Sequence, residues 1–289
     1  MPNPYSSWVA DGARHFDEGR ALPLGGVPPL ALPTPAASAP KVLLFSPHPD
    51  DECITGGLPL RLRRDLRWNV INVAVTQGSK KERQAARLDE LRQACEFLGF
   101  GLVTTRPGGL EHINTKGRDA QPAQWRDAVA IIARILAEHM PAVVILPHDQ
   151  DWNSTHIGTH HLVADALRQM PDHFTCHTVE TEFWGALADP NLMVASSVAD
   201  VATLVAAISF HAGEVARNPY HLRLPAWLMD NVRRGGELVG GQGGAAPDVS
   251  FATLYRLRRY ARGRFHFALE AGRIVGVDDD LAALFCTTE

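Results

Sequence analysis

Short, almost wholly apolar runs that alternate with helix-like segments constrain the fold of this chain most strongly. Three of them, at 42–45, 70–76 and 143–146, have the length of strands and lack the regular polar positions of a half-exposed strand. Strands of this kind are covered on both faces, as in a parallel sheet between two layers of helices. The order strand, helix, strand from 42 to 76 predicts a right-handed βαβ crossover. We therefore expect a three-layer α/β/α sandwich with a mainly parallel sheet.

The first 40 residues follow a different pattern and contain eight of the 20 prolines. Proline fixes its own φ and favours extended geometry in the residue before it, which predicts an irregular arm over 1–40 and a domain over 41–289. Tyr5, Trp8 and Phe16 argue against a disordered arm. We expect the arm to dock on its own subunit or on a neighbouring one, and the second case would make the protein a homo-oligomer.

Composition excludes several classes of protein. A hydrophobic content of 45% and a charged content of 21% are ordinary for a globular enzyme, and a net charge of −4 gives no basic face for nucleic acid. The arginine-rich segment 256–262 is the exception, and we interpret it as a solvated helix or strand edge. Scattered cysteines do not form a structural zinc site, and no apolar stretch reaches the length of a membrane span. A cytoplasmic enzyme is the expectation.

Two of the apolar runs end in clusters of polar residues. Residues 46–52 contain a histidine and three acidic residues, and residues 147–156 form a second polar cluster after a later strand. Ligands of open α/β sheets collect beyond the carboxyl ends of the strands, so the two clusters can face one crevice. His48 and Asp51 are close enough to bind one divalent metal, with a third ligand from the second cluster. The histidines that could supply it are His148, His156, His160 and His161.

The first cluster also has a distinctive sequence. His48-Pro49-Asp50-Asp51-Glu52, after a strand and before Gly56-Gly57, resembles the opening motif of the LmbE-like or PIG-L family of zinc-dependent N-deacetylases. The resemblance implies a Rossmann-like sheet, a Zn²⁺ ion and hydrolysis of the acetamide of a small-molecule N-acetylated sugar, such as an N-acetylglucosamine (GlcNAc) conjugate. It implies His48, Asp51 and His156 as metal ligands. Asp50 would be the general base that deprotonates the metal-activated water.

Further roles follow from the same resemblance. Asn153 stands where many members carry a histidine that stabilises the oxyanion or protonates the amine, and an asparagine can do only the first. His211 is a candidate for the missing acid, and Arg83 and Arg87 for substrate binding. We expect Glu52 to orient His48 or cap the following helix. Structural roles are predicted for His112, His139, His173, His177, His221 and His266.

Pocket walls and substrate are less constrained by the sequence. We expect the loops 106–123 and 235–244 to border the site. Two rival functions stay open: hydrolysis of a non-sugar amide, and a non-catalytic sugar-binding descendant of the fold. The presence of Asp50 favours catalysis.

Overall fold

A nine-stranded sheet runs through the computed structural model, which describes residues 2–285. Five strands on one side of the sheet are mutually parallel, and the strands that follow add antiparallel pairs to its other edge. The strands are β1 Lys41–Ser46, β2 Asn69–Ala74, β3 Gly101–Thr104, β4 Val143–Pro147, β5 Thr175–Thr181, β6 Leu192–Ser196, β7 Phe251–Ala261, β8 Arg264–Phe267 and β9 Arg273–Val275.

The strand order contains a reversal beside β1. The order is β3-β2-β1-β4-β5-β7-β6-β9, with β8 paired to β7. The chain moves outward from β1 to β2 and β3, then returns to place β4 on the other side of β1. Such a reversal leaves a crevice beyond the carboxyl ends of the two strands, where α/β proteins bind ligands. The loops after β1 and β4 are the two polar clusters predicted to face each other.

Helices cover both faces of the sheet. Val42 and Leu44 of β1 point into one core, whereas Leu43 and Phe45 point into the other, so this strand is buried on both sides. The first core contains residues of the helices at 57–64, 84–98, 198–209 and 224–238, and the second contains residues of the helices at 122–139 and 154–167. The predicted three-layer α/β/α class is confirmed. The helices are α1 Tyr5–Gly19, α2 Gly57–Arg64, α3 Gln84–Leu98, α4 Thr115–Ala120, α5 Pro122–His139, α6 Ser154–Leu167, α7 Val198–Ser209, α8 Ala212–Val215 and α9 Leu224–Leu238.

The N-terminal arm corrects one expectation. It begins with α1, a 15-residue helix, and only the part after this helix lacks regular structure within residues 20–40. No proline interrupts residues 5–19, so the backbone can form the helical hydrogen bonds there. Arg223 stacks on Phe16 with its guanidinium carbon 4.4 Å from the ring centroid, which attaches the helix to the body. The division into arm and domain, and any oligomer built through the arm, stay predictions.

Residues 256–261 of the arginine-rich segment lie in an interior strand, so the interpretation of the segment as a solvated helix or strand edge is wrong. β7 lies between β5 and β6, and Arg256 and Arg258 both form ion pairs with the buried Glu180 of β5. Paired side chains on adjacent strands offset part of the cost of placing these charges inside a sheet. Within residues 2–285, no helix combines the length and the apolar composition that crossing a membrane requires.

Candidate metal centre and active site

Three potential metal ligands meet at the crevice beside β1. His48 Nδ1, Asp51 Oδ2 and His156 Nε2 form a nearly equilateral triangle with sides of 3.2, 3.3 and 3.3 Å. Tetrahedral coordination with bonds of about 2.0–2.1 Å places two ligand atoms about 3.3–3.4 Å apart, so this donor set fits one zinc-sized ion. Two histidines and one carboxylate also leave a fourth position open, as catalytic sites require. The sequence prediction had named these same three residues.

A second carboxylate lies behind His156. Asp151 Oδ1 is 3.5 Å from His156 Nδ1, on the side of the ring opposite the triangle. Asp151 itself accepts hydrogen bonds from the backbone amides of Asn153, Trp184 and Gly185. A carboxylate in this position fixes the orientation of a ligating imidazole and increases its basicity. Asp151 was not predicted from the sequence, although its place three residues after His148 in the polar cluster was visible.

Electrostatics of the triangle favour a cation. Burial raises the pKa of Asp51, but the two neighbouring histidines outweigh burial and hold it well below its usual range. Burial also opposes protonation of His156, yet Asp51 and Asp151 outweigh it and raise the pKa of this histidine to about 10. The pocket therefore holds positive charge at neutral pH, as a proton or, in its place, a metal ion.

The competing histidines have other partners. His148 is fully buried, with Nε2 2.8 Å from the carbonyl oxygen of Gly185 and Nδ1 accepting from the amide of Gln150. His160 directs Nδ1 toward the Pro147 carbonyl oxygen and the Glu180 carboxylate, at 3.0 and 3.1 Å. Its ring packs edge-on against His161. Among the described residues, the ligand atoms of these three histidines do not join the triangle.

Asp50 adopts a strained backbone conformation next to the metal ligands. Its φ is +113°, in the region that disfavours residues with a side chain. Tyr220 donates a hydrogen bond of 2.8 Å to Oδ2, and Arg87 Nη2 lies 3.8 Å from Oδ1. Burial first, and then Asp51, raise the pKa of Asp50 to about 7 against the opposing effect of His211, Arg87 and Tyr220. A carboxylate with this pKa can both accept and return a proton near neutral pH.

A buried pair of side chains supports this conformation. Glu52 Oε2 accepts a hydrogen bond of 2.9 Å from the backbone amide of Asp50, and Glu52 Oε1 is 2.6 Å from His211 Nε2. Both side chains are shielded from solvent. The expectation that Glu52 orients His48 or caps a helix is wrong, because both of its oxygens are occupied elsewhere. Burial lowers the pKa of His211, but Glu52 and Asp50 outweigh burial and raise it.

His211 lies in a break between two helices. α7 ends at Ser209 and the short α8 starts at Ala212, so the intervening residues turn the His211 ring inward toward Glu52. His211 is therefore close to Asp50 but behind it. This arrangement suits a residue that positions the base, and the role as proton donor to the amine stays a prediction.

Asn153 serves as the N-cap of α6. Its side-chain oxygen accepts a hydrogen bond of 2.9 Å from the amide of Thr155, two residues farther along the chain and next to the ligand His156. N-cap asparagine satisfies amides that the first turn of a helix leaves without partners. The side-chain nitrogen is the only part of Asn153 that can donate to an oxyanion, and this catalytic role stays a prediction.

A cavity of about 380 Å³ opens beside the triangle. His48 and Thr155 line it on the metal side, and Gly78, Ser79 and residues 110–114 are among those that line the other walls. The predicted contribution of loop 106–123 fits this wall. Within the described residues, segment 235–244 lines a different cavity, and Gly235 to Leu238 belong to α9, so its predicted place beside the site is wrong.

The wall also changes the interpretation of one histidine. His112 was predicted to be structural, but it is exposed, has φ of +59° and lines the cavity beside His48. Arg83 and Arg87, predicted to bind substrate, lie in an adjoining basic cavity together with Arg217. Tyr220 is a further residue at the site that was not predicted, since it stands 170 positions from Asp50 with no motif around it.

Comparison with known proteins identifies the central part of the chain. Residues 43–167 match the family described as PIG-L, GlcNAc-PI de-N-acetylase. The matched segment is similar to this family and makes up less than half of the chain. It contains both strand-end loops and all three residues of the triangle, so the resemblance inferred from the first loop is confirmed. The curated proteins contain no match to the sequence.

Several solved structures share the fold of this chain. N,N'-diacetylchitobiose deacetylase from Pyrococcus horikoshii has 17% identity and a TM-score of 0.56, over 91% of this chain and 94% of its own. Teicoplanin deacetylase has 17% identity and a TM-score of 0.52, over 76% of this chain and 98% of its own. The 4-carboxy-2-hydroxymuconate hydratase of Pseudomonas putida, at 16% identity, has a TM-score of 0.55 over 75% and 95%. At these identities the likeness concerns the fold, and the fold alone carries more than one reaction.

Proposed function

We propose that this protein is a zinc-dependent hydrolase of the PIG-L type that removes the acetyl group from an N-acetylated amino sugar or its conjugate. The observation that carries the proposal is the triangle of His48, Asp51 and His156 next to a base of suitable pKa. The family description and the deacetylases among the structural neighbours support the reaction class. Asp50 disfavours the non-catalytic alternative, since a strained buried carboxylate has no evident purpose in a binding protein.

An ion held by these three residues would act as a Lewis acid, lowering the pKa of a water molecule and polarising the amide carbonyl. Asp50 accepts the proton of the attacking water. Tyr220 and Arg87 hold the Asp50 carboxylate in place, and Glu52 fixes the backbone that carries it. The carbon–nitrogen bond then breaks, and the amine needs a proton that Asp50, with a pKa of about 7, can return.

Asn153 supplies a second element of the proposal. Its amide nitrogen donates to the oxyanion that forms on the acetyl carbon, while its oxygen remains bound to the Thr155 amide. An asparagine cannot release a proton near neutral pH, which leaves Asp50 as the acid. In this proposal His211, whose side chain is buried, positions Asp50 through Glu52.

The test measures amine release from N-acetylglucosamine and N,N'-diacetylchitobiose by the purified protein with added zinc. Asp50→Asn removes the base while asparagine tolerates the positive φ. Asp89→Asn, an exposed residue of α3, is the matched control. We expect activity in the wild type and control, and its loss in Asp50→Asn and in a chelated sample. Activity that survives chelation would contradict the metal role, and activity only on a non-sugar acetamide would transfer the proposal to the amide alternative.

A further inference from the structure

The N-terminal arm lies against the two segments that hold the proposed base Asp50 in place. One is the single-turn 3₁₀ helix Tyr220–Arg223, whose tyrosine donates a hydrogen bond to the Asp50 carboxylate. The other is the break between α7 and α8, where His211 reaches the Glu52 side chain that binds the Asp50 amide. The family match over residues 43–167 includes neither the arm nor these two segments. A role for the arm therefore cannot be inferred from the family match.

The first contact is made by the last residue of α1. Gly19 is buried, and a Cβ atom added to it would lie 2.8 Å from Cδ2 of Leu222. The end of the helix therefore packs directly on the Leu222 side chain. The Leu222 amide bonds to the carbonyl of Pro219, which closes a turn around Tyr220. A displacement of Leu222 is thus transmitted to Tyr220, whose hydroxyl is 2.8 Å from Asp50 Oδ2.

The second contact is made six residues farther along the arm. The amide of Gly25 donates a hydrogen bond of 3.1 Å to Oγ of Ser209, the last residue of α7. A Cβ atom added to Gly25 would lie 3.4 Å from the Phe210 ring, so the arm packs on both residues that precede His211. His211 Nε2 is in turn 2.6 Å from Glu52 Oε1. The arm thus covers the point where the chain turns His211 inward.

The conformation of Asp50 depends on supports of this kind. Its φ of +113° is costly for a residue with a side chain, and a strained backbone persists only where surrounding contacts over-determine it. Tyr220 restrains the Asp50 carboxylate, and Glu52 restrains the Asp50 amide. The arm supports both restraints, one at Gly19 and the other at Gly25. Loss of an arm contact should let Asp50 relax from its position, and a shift of about 1 Å in a catalytic group can lower the rate about 100-fold.

We propose that the N-terminal arm positions the base Asp50 through these two contacts. The inference rests on the proposed hydrolase function and adds the arm to the catalytic unit. Gly19 and Ser209 are positioning residues, because the first acts through Tyr220 and the second acts through His211 and Glu52. Their substitution should change turnover and leave substrate binding unchanged.

Two arm variants and two matched controls test the proposal in the full chain. Ser209→Ala removes the hydroxyl that binds the arm, and Thr203→Ala removes a hydroxyl of α7 that bonds within the helix. Gly19→Leu places a side chain in the position of Leu222, whereas Gly12→Leu places it where an added Cβ meets no atom within 4 Å. Both glycine substitutions introduce a good helix former, so their difference reports the contact with Leu222.

Amide hydrogen exchange of the zinc-loaded protein measures the restraint on the base without a substrate. The Asp50 amide exchanges when its hydrogen bond to Glu52 opens, and the Ile145 amide, in the interior strand β4, serves as the reference for general stability. We expect exchange of the Asp50 amide to become about tenfold faster in both arm variants and to stay unchanged in the controls. An equal acceleration at Ile145 would indicate general destabilisation and overturn the proposal.

Steady-state kinetics on N-acetylglucosamine provide the second readout. The kcat should fall about tenfold in each arm variant while KM stays within about twofold of the wild-type value, since the base moves and the substrate cavity does not. Unchanged exchange in both variants, or unchanged kcat despite faster exchange, overturns the positioning role and leaves the deacetylase function standing. An effect in one variant alone keeps that contact and overturns the other. If the wild type hydrolyses no acetamide, the proposed function fails, and exchange of the Asp50 amide alone decides whether the arm positions this residue.

Discussion

Replacing Glu52 by glutamine should expose how much the buried pair behind Asp50 contributes. The wild-type carboxylate accepts hydrogen bonds from the Asp50 amide at 2.9 Å, from His211 at 2.6 Å and from the Cys53 thiol at 3.1 Å. Glutamine keeps one acceptor oxygen and turns its NH₂ group toward one of these donors. Breaking a buried pair by removing one partner costs about 3–5 kcal/mol. We expect Glu52→Gln to lower the free energy of unfolding by about 3 kcal/mol at pH 6, near the lower end of that range.

The pH dependence distinguishes this pair from ordinary packing. The pKa of folded His211 is raised, so its contribution is complete below the unfolded value of about 6.5 and is lost as pH rises toward the folded value. The loss caused by Glu52→Gln should therefore shrink from pH 6 to pH 9, toward the roughly 1 kcal/mol of a neutral hydrogen bond.

Urea unfolding of chelated protein measures the effect without a contribution from metal binding. Glu182→Gln is the control, because Glu182 is equally buried but pairs with Arg234, which stays charged throughout this pH range. Its loss should be independent of pH between 6 and 9. A Glu52→Gln loss below about 1 kcal/mol at pH 6, or one with the same pH dependence as the control, would refute the ion-pair account.

Three further results are expected. Zinc uptake at pH 7.5 should release about one proton, because His156 has a pKa of about 10 in the metal-free protein and must lose its proton to bind the ion. Calorimetry in buffers of different ionisation enthalpy measures the number of protons released, and no release would contradict the assignment of His156 as a ligand. Asp151→Asn should weaken zinc binding about 10–100-fold in competition with a chelator, and an unchanged affinity would remove Asp151 from the site. Gly56→Ala should lower the free energy of unfolding by more than about 2 kcal/mol in urea, since φ is +78° and the new Cβ would lie 2.0 Å from Thr253 Oγ1. Gly12→Ala in α1, where a Cβ meets no atom within 4 Å, should be neutral or stabilising. Equal effects of the two substitutions would contradict the steric argument.

The sequence was most informative where local pattern and topology act together. The apolar runs predicted buried parallel strands, and the rule that ligands bind beyond strand ends brought His48 and His156 to one place although they are 108 residues apart. The resemblance to the family motif then selected His156 from the four candidate histidines. The structure adds the reason, since His148 and His160 satisfy backbone carbonyls instead.

Contacts between distant segments could not be predicted in this way. His211 is paired with Glu52 across 159 residues, and neither side chain carries a pattern that indicates the other. The interior position of β7 could not be predicted for the same reason. A run of arginines indicates a solvent-exposed segment unless Glu180 is known to lie on the neighbouring strand. In the arm, the proline clusters at 23–40 obscured a proline-free stretch that was long enough for α1.

The candidate metal ligands lie far apart in the sequence, and this separation determines when the metal site can form. Synthesis produces His48 and Asp51 long before His156, so three donors converge only after β4 has taken its place beside β1. An ion bound by these residues would thus be received by a finished scaffold and would stabilise it through its affinity for the native state. Asp151 holds its position through backbone amides of residues 153, 184 and 185, none of which is a metal ligand. Removal of the ion should leave the receptor assembled, and reloading should proceed without refolding.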